Sequence, residues 1–386
     1  MNSERKNILI VAGEASADRY GASLVKTLQS VHGAETFHFF GAGGDEMGKA
    51  GVELLSHIKE LAHIGPRDAL ANLAKYHETF RKLTRAALSQ SASLAILLDF
   101  PEFNLRLAKK MKRAGIKVVY YISPQLWAWR RRRIRIVRDY VDKMLVILPF
   151  EEDYYRRRGV QVEFVGHPLL EDFSPNYDRS GFLRNLGLDP ERKTIALLPG
   201  SRRKEVDRIL PLLLQASIQV LDKVPAQFLI SAAPTVDLAQ IRGIADKAIK
   251  GHAFAERFRI VNTKSRDLLA VSDFAFVKSG TSTLEAALVG TPFLITYKIS
   301  PVSWLFGRLL VHSRYLGLVN LIAEEEIVPE LYQHRATPQA LSQTALEYLG
   351  HTQKTAKMRS RLAQIRGMLG ARHASESAAA AISSCL

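Results

Sequence analysis

Short apolar runs alternate with amphipathic stretches from one end of the chain to the other. In the first half the runs cover residues 7–11, 37–40, 94–98, 117–121, 144–148 and 163–165. Most are rich in Val, Ile, Leu and aromatics, without polar–apolar alternation. Strands covered by helices on both faces read this way, so the runs predict parallel sheets. Between them lie helical patterns such as Tyr20, Leu24, Val25 and Leu28, whose spacing places them on one face. Alternating strand and helix predicts a doubly wound α/β layout.

A polar, turn-rich stretch over 171–178 interrupts the pattern, which restarts at Thr194. The second set of strands covers 195–198, 227–230, 259–261, 274–277 and 293–296. The chain therefore divides into a first domain over 1–170, a second over 190–350 and an alanine-rich helical tail over 351–386. Open α/β sheets bind ligands beyond the carboxyl ends of their strands. Two such domains facing each other through these ends would form a cleft suited to small-molecule chemistry.

Bulk properties narrow the picture. A length of 386 residues suits two domains. The single cysteine, Cys385, excludes an internal disulfide framework and a cysteine-rich metal site, and fits a reducing compartment. The first apolar run is too short for a secretory signal, and no stretch is long enough to cross a bilayer. The formal charge of +16 predicts attraction to a polyanion: nucleic acid, a phosphorylated substrate or an anionic membrane surface.

Two strand–glycine–helix turns stand out in the second half. Ser279-Gly280-Thr281-Ser282-Thr283-Leu284-Glu285 follows one apolar run, and Pro199-Gly200-Ser201-Arg202 follows another. A helix opening after such a turn presents unpaired N–H groups to phosphate, so the pair predicts a nucleotide diphosphate held between them. A cation in a helix's first turn opposes the helix dipole unless an anion is near. Arg202 is therefore a candidate to grip the diphosphate and stabilise it as it leaves. Ser282 and Glu285 have capping-box spacing. The other reading has Glu285 accept hydrogen bonds from a ribose while Ser279, Gly280 and Thr281 surround phosphate; spacing does not separate the two.

In the first half, Ala12-Gly13-Glu14-Ala15-Ser16-Ala17-Asp18 follows the first strand. It lacks the later glycines of a dinucleotide fingerprint. On spacing alone it is a turn at Gly13 with Ser16 or Asp18 as helix cap. Asp99 ends an apolar run. Apolar neighbours would raise its pKa and suit a general base; the alternative is an N-cap for the helix after Pro101. Glu102 is a weaker candidate for the same task. The run from Trp127 to Arg135 interleaves arginine with aromatics, a phosphate grip or a solvated helix face. Two apolar-basic segments, 61–73 and 304–310, read as helices packed on a core or partner, with membrane docking second. There is no D-x-D pair and no His/Asp/Glu cluster with metal-ligand spacing. A transferase would then neutralise its leaving diphosphate with arginine and helix termini.

Taken in order, several segments resemble the lipid-A-disaccharide synthases over almost the whole chain. They are Ala12-Gly13-Glu14-Ala15-Ser16, Asp99-Phe100-Pro101-Glu102-Phe103-Asn104, and Ser123-Pro124-Gln125-Leu126-Trp127-Ala128-Trp129-Arg130. Leu148-Pro149-Phe150-Glu151, Val165-Gly166-His167-Pro168, Leu198-Pro199-Gly200-Ser201-Arg202 and the 279–285 loop complete the set. The resemblance implies a GT-B α/β fold: two Rossmann-like doubly wound domains facing across a cleft, the first on the acceptor side, the second binding the UDP-sugar. A C-terminal segment would reach back toward the first. It implies an inverting glycosyltransferase with no metal or other cofactor. That enzyme joins UDP-2,3-diacylglucosamine to 2,3-diacylglucosamine 1-phosphate, forms the β-1,6 lipid A disaccharide and releases UDP. It also implies a cytoplasmic protein peripheral on the inner membrane, in contact with an anionic membrane surface and not with nucleic acid. A homodimer with exchanged C-terminal segments, involving residues 304–321, is implied too.

Carried over position by position, Asp99 is the base and Arg202 stands near the diphosphate. Asn320 lies near the nucleotide, in a stretch where Val319 replaces the usual proline. Gly13, Glu14 and Ser16 join the substrate-binding set with Gly200, Ser201, Ser279, Gly280, Thr281, Ser282 and Glu285. Ala17 replaces a usual glycine, which implies a different loop shape, and Pro66-Arg67 interrupts a segment that is more apolar in relatives. The alternative is another UDP-sugar enzyme of the GT-B fold, a UDP-N-acetylglucosamine 2-epimerase or the peptidoglycan transferase that uses the same donor as that epimerase. An epimerase needs no lipid acceptor, so assaying the UDP-sugar with and without acceptor separates it. A non-catalytic binder of anionic lipid or nucleic acid would show salt-sensitive binding without UDP release.

Overall fold

The computed structural model describes residues 5–61, 69–171, 173, 177–300, 304, 314–370 and 373–386. The chain forms two compact units, one of residues 1–171 with 369–386 and one of residues 172–368.

The first unit holds strands β1 (Lys6–Ala12), β2 (Phe37–Gly43), β3 (Glu53–His57), β4 (Leu94–Leu98), β5 (Lys117–Tyr121), β6 (Lys143–Val146) and β7 (Val162–Phe164). They form one parallel sheet in the order β3-β2-β1-β4-β5-β6-β7. The second holds β8 (Lys193–Leu198), β9 (Ala226–Ser231), β10 (Phe258–Val261), β11 (Phe274–Lys278), β12 (Phe293–Tyr297) and β13 (Glu330–Tyr332). Its order is β10-β9-β8-β11-β12-β13, again parallel. Each sheet grows outward from its first strand and then reverses. The switch points lie between β1 and β4 and between β8 and β11. Two Rossmann-like doubly wound units make this a GT-B fold, as the sequence implied.

The unalternating runs have a direct cause. Ile8, Leu9, Ile10 and Val11 are all fully buried. Ile8 and Ile10 pack on one face with Leu24, Val25 and Leu28 of the helix Ala15–His32. Leu9 and Val11 pack on the other with Phe103, Leu107 and Met111 of the helix Pro101–Arg113. Two strands were not expected, β3 and β13. Both are edge strands with part-exposed residues, so they lack the apolar run that marks the central ones.

The stretch read as one tail is divided. The helix Thr352–Met368 lies in the second unit, and the helix Ala374–Ser383 in the first. The latter docks on the helix Ala15–His32. There the Glu171 carboxylate accepts from Ser375 Oγ at 2.7 Å and Ser23 Oγ at 3.2 Å, and His32 Nε2 meets Ser383 Oγ at 2.7 Å. Residues 62–68, with Pro66 and Arg67, and residues 305–313 lie outside the described residues, and so does most of each apolar-basic segment. Among the described residues no helix is long and apolar enough to cross a membrane.

Candidate active site

All but one of the candidate residues fall at the two switch points. In the first unit β1 ends at Ala12 and β4 at Leu98, neighbours in the sheet. Gly13 follows β1, but its backbone is not left-handed. The expected tight turn is not the reason for glycine. A Cβ there would lie 2.2 Å from Phe100 Cγ, so Gly13 makes room for an aromatic ring. Glu14 is exposed at the N-cap of the helix Ala15–His32, and no side chain caps that helix. Ser16 is half-buried in its first turn. Asp18 is buried and caps a different helix, Asp45–Lys49, accepting from the Gly44, Glu46 and Met47 amides at 2.6, 3.1 and 3.1 Å. Ala17 is a buried helical residue, a conformation that needs no glycine.

Asp99 and Phe100 both adopt left-handed backbone angles, with φ of 46° and 49°. Consecutive non-glycine residues in this region cost about 1–3 kcal/mol each and persist only when their surroundings fix them. Here they do. Asp99 N donates to Tyr121 O at 3.1 Å. The Asp99 carbonyl accepts from Tyr120 Oη at 2.5 Å and from Asn104 Nδ2 at 2.9 Å. The twist moves the helix N-cap to Phe100, so Asp99 is not a cap. Burial, with the Glu14 charge second, pushes the Asp99 carboxyl up to about 6.

Glu102 is set apart from it. Arg133 grips its carboxylate with both Nη atoms at 2.8 Å, and Arg130 pairs with it as well. The hydrogen-bonded Arg133 holds Glu102 below the usual carboxylate range, which suits an anchor and not a base. A third carboxylate, Glu151, is buried with neutral partners: Ser123 Oγ at 2.7 Å, Trp127 Nε1 at 3.0 Å and Leu148 N at 3.2 Å. Burial pushes it up to about 7. The Ser-Pro-x-x-Trp and Leu-Pro-Phe-Glu segments meet at this residue.

In the second unit β8 and β11 are neighbours. Gly200 has φ of 117° and Gly280 of 154°, angles that favour glycine. Arg202 is the exposed N-cap residue of the helix Arg203–Leu221, with a loose 3.9 Å contact to Glu205. Ser201 is exposed beside it, its carbonyl accepting from Thr235 Oγ1 at 2.6 Å. Thr281 is the N-cap of the helix Ser282–Val289, with no capping side chain. The capping box read between Ser282 and Glu285 is therefore not formed, which leaves the half-buried Glu285 carboxylate for other work. The N–H groups of Gly280, Thr281 and Ser282 have no acceptor among the described residues. Ser279 differs: its amide donates to Thr296 O at 3.0 Å and its hydroxyl to Leu316 O at 3.2 Å.

Asn320 is the candidate that lies away from the two switch points. It is fully buried, and its amide is spent on the protein. Nδ2 donates to Val328 O and Glu330 Oε1, while Oδ1 accepts from the Ile327 and Val328 amides, all within 3.0 Å. These four bonds of its side chain tie the 317–330 loop together. Lys278 was missed. It ends β11 with its ammonium 3.0 Å from Glu205 Oε1. The logic that selected Asp99, a charged residue closing an apolar strand, applies to it equally.

The family model described as lipid-A-disaccharide synthetase matches residues 8–383. The chain is 41% identical over 380 residues to the lipid-A-disaccharide synthase of Syntrophus aciditrophicus (strain SB), covering 98% of this chain and 97% of that one. It is 39% identical over 374 residues to that of Geobacter metallireducens, covering 96% and 95%. Among solved structures it is similar to the UDP-GlcNAc 2-epimerase from Neisseria meningitidis bound to UDP-GlcNAc. That likeness has a TM-score of 0.68, 11% identity and coverage of 98% and 100%. It is also similar to the glycotransferase of kitacinnamycin, with TM-score 0.65, 14% identity and coverage of 99% and 100%. At these identities the two structures speak for the fold alone.

Proposed function

The chain belongs to the lipid-A-disaccharide synthase family and is a glycosyltransferase forming the lipid A disaccharide, and we propose that Asp99 is the base of that transfer. The donor is UDP-2,3-diacylglucosamine and the acceptor 2,3-diacylglucosamine 1-phosphate. The Asp99 carboxylate takes the proton of the acceptor 6-hydroxyl. The oxygen attacks the anomeric carbon from the face opposite UDP, the carbon–phosphate oxygen bond breaks, and UDP leaves with that electron pair. The product is β-1,6-linked, and Asp99 then returns its proton to water.

One observation carries the reading: Asp99 is a strand-end carboxylate in a fixed, left-handed backbone, raised to about 6 by burial. A base of that strength is ionised at neutral pH yet stronger than an ordinary aspartate. On the donor side, Arg202, Gly200, Ser201 and the amides of Gly280, Thr281 and Ser282 receive the diphosphate. Glu285 accepts from the ribose. Gly13, Glu14 and Ser16 shape the acceptor side. Asn320 acts as a positioning residue for the 317–330 loop. The protein works on the cytoplasmic face of the inner membrane, on an anionic surface, as a dimer with exchanged C-terminal segments. The test is UDP release from UDP-2,3-diacylglucosamine with and without the phosphorylated acceptor. Release that ignores the acceptor would point to donor hydrolysis or epimerisation and sink the assignment.

A further inference from the structure

We infer that Lys278, aimed by Glu205, is a further cationic contact for the donor's diphosphate; this rests on the UDP-sugar reading above. Lys278 closes β11, and Glu205 stands in the first turn of the helix after β8. Their ion pair, 3.0 Å from Nζ to Oε1, ties the carboxyl ends of the two switch-point strands. It also lies against both glycine turns. A Cβ at Gly200 would meet Glu205 Oε2 at 2.5 Å, and one at Gly280 would come within 3.5 Å of Lys278 Nζ. The ammonium therefore stands beside the turn whose next amides lack acceptors.

A lysine is a flexible point charge, and pointing it lowers the cost of using it. Glu205 holds the ammonium from one side, and the Tyr297 ring, 5.2 Å from Nζ, holds it from another. Both charged side chains are largely buried, at 19% and 11% exposed, so salt screens them weakly. Glu205 Oε1 takes one of three ammonium protons and leaves the others for a ligand. Glu205 Oε2 is buried with no hydrogen-bond partner among the described residues. A carboxylate so placed would repel a diphosphate unless a cation stood between them, and Lys278 is the cation bonded to it. A narrower role, in which Lys278 only neutralises Glu205, makes a different prediction.

Calorimetry of UDP and uridine binding to the full-length protein separates the possibilities. The set is wild type, Lys278→Met, Lys278→Arg, Glu205→Gln and the Lys278→Met/Glu205→Gln double variant. Loss of a charge-assisted hydrogen bond predicts that Lys278→Met weakens UDP about tenfold or more and uridine little. Lys278→Arg should restore part of the loss, and the loss should persist in the Glu205→Gln background. Two results would overturn the inference. One is a Lys278→Met variant that binds UDP like wild type. The other is a double variant that binds UDP as well as Glu205→Gln alone, which would leave Lys278 a mere neutraliser. A wild-type protein with no preference for UDP over uridine would instead defeat the donor reading itself.

Discussion

Replacing Asp99 tests the mechanism most sharply, because its environment fixes where the pH response must fall. Its carboxyl is raised from 3.8 to about 6. That shift disfavours the carboxylate by roughly 3 kcal/mol, mainly through burial. A group at about 6 is about 90% ionised at pH 7 and about 10% ionised at pH 5. Since the base must be ionised, kcat/KM of the wild-type enzyme should fall about tenfold per unit below pH 6. Asp99→Asn should lose about 10²–10⁴-fold at pH 7.5 and lose that acid limb as well. Glu14→Gln supplies an internal control, because the Glu14 charge is the second cause of the shift. Its limb should move to lower pH yet stay above 3.8, since burial remains. The assay is initial-rate UDP release with saturating acceptor between pH 5 and 9. A wild-type profile that stays flat down to pH 5, or an Asp99→Asn enzyme that keeps the limb and most of the rate, would refute the assignment.

Three further outcomes follow from the same geometry. Gly13→Ala puts a methyl 2.2 Å from Phe100 Cγ; the resulting strain, about 1–3 kcal/mol, should lower turnover with little effect on UDP affinity. Asn320→Ala leaves the buried Val328 amide without its acceptor, at about 1–3 kcal/mol, while the Ile327 amide keeps Glu325 O, so the thermal midpoint should drop. An unchanged midpoint with weakened UDP binding would point instead to direct nucleotide contact. Glu151 is raised from 4.5 to about 7. The stability that its protonated form contributes is fully present below about 4.5 and lost as pH rises through about 7, roughly 3 kcal/mol in all. Glu151→Gln should flatten that fall in thermal midpoints recorded from pH 5 to 8, and identical slopes for the two proteins would exclude it.

The parts of the fold that the sequence made legible are those where one physical cause dominates. Central parallel strands must be apolar on both faces, so 94–98 and 117–121 were readable residue for residue. The edge strand Glu53–His57 obeys no such rule and was not read. Glycine turns before helices were readable because few residues accept φ near 117° or 154°. Roles that depend on which side chain meets which were not. Asn320 looks like any polar residue until its four hydrogen bonds are traced, and Asp18 caps a helix that begins 27 residues later. Glu102 and Asp99 lie three residues apart on one motif, and the arginine paired with Glu102 and the burial of Asp99 shift their carboxyls in opposite directions.

That last contrast bears on how a strongly basic protein keeps a usable carboxylate base. A cation beside an aspartate lowers its pKa and weakens it as a base. The chain carries a run of arginines from Arg130 to Arg133, only about thirty residues beyond Asp99 in sequence. Neither of the two that pair with Glu102 acts on Asp99. Arg133 is spent bidentately on Glu102, Arg130 pairs with the same carboxylate, and the groups that do act on Asp99 are burial, Glu14 and a backbone amide. Glu102 thus engages both arginines, and neither is among the groups that shift Asp99. The second unit needs the reverse at the same topological position. There the strand ends and helix starts supply Lys278, Arg202 and amides with no acceptor among the described residues, and the Glu205 carboxylate is bound to a cation. On the mechanism proposed above, one sheet topology, used twice, would serve proton removal in the first unit and diphosphate departure in the second.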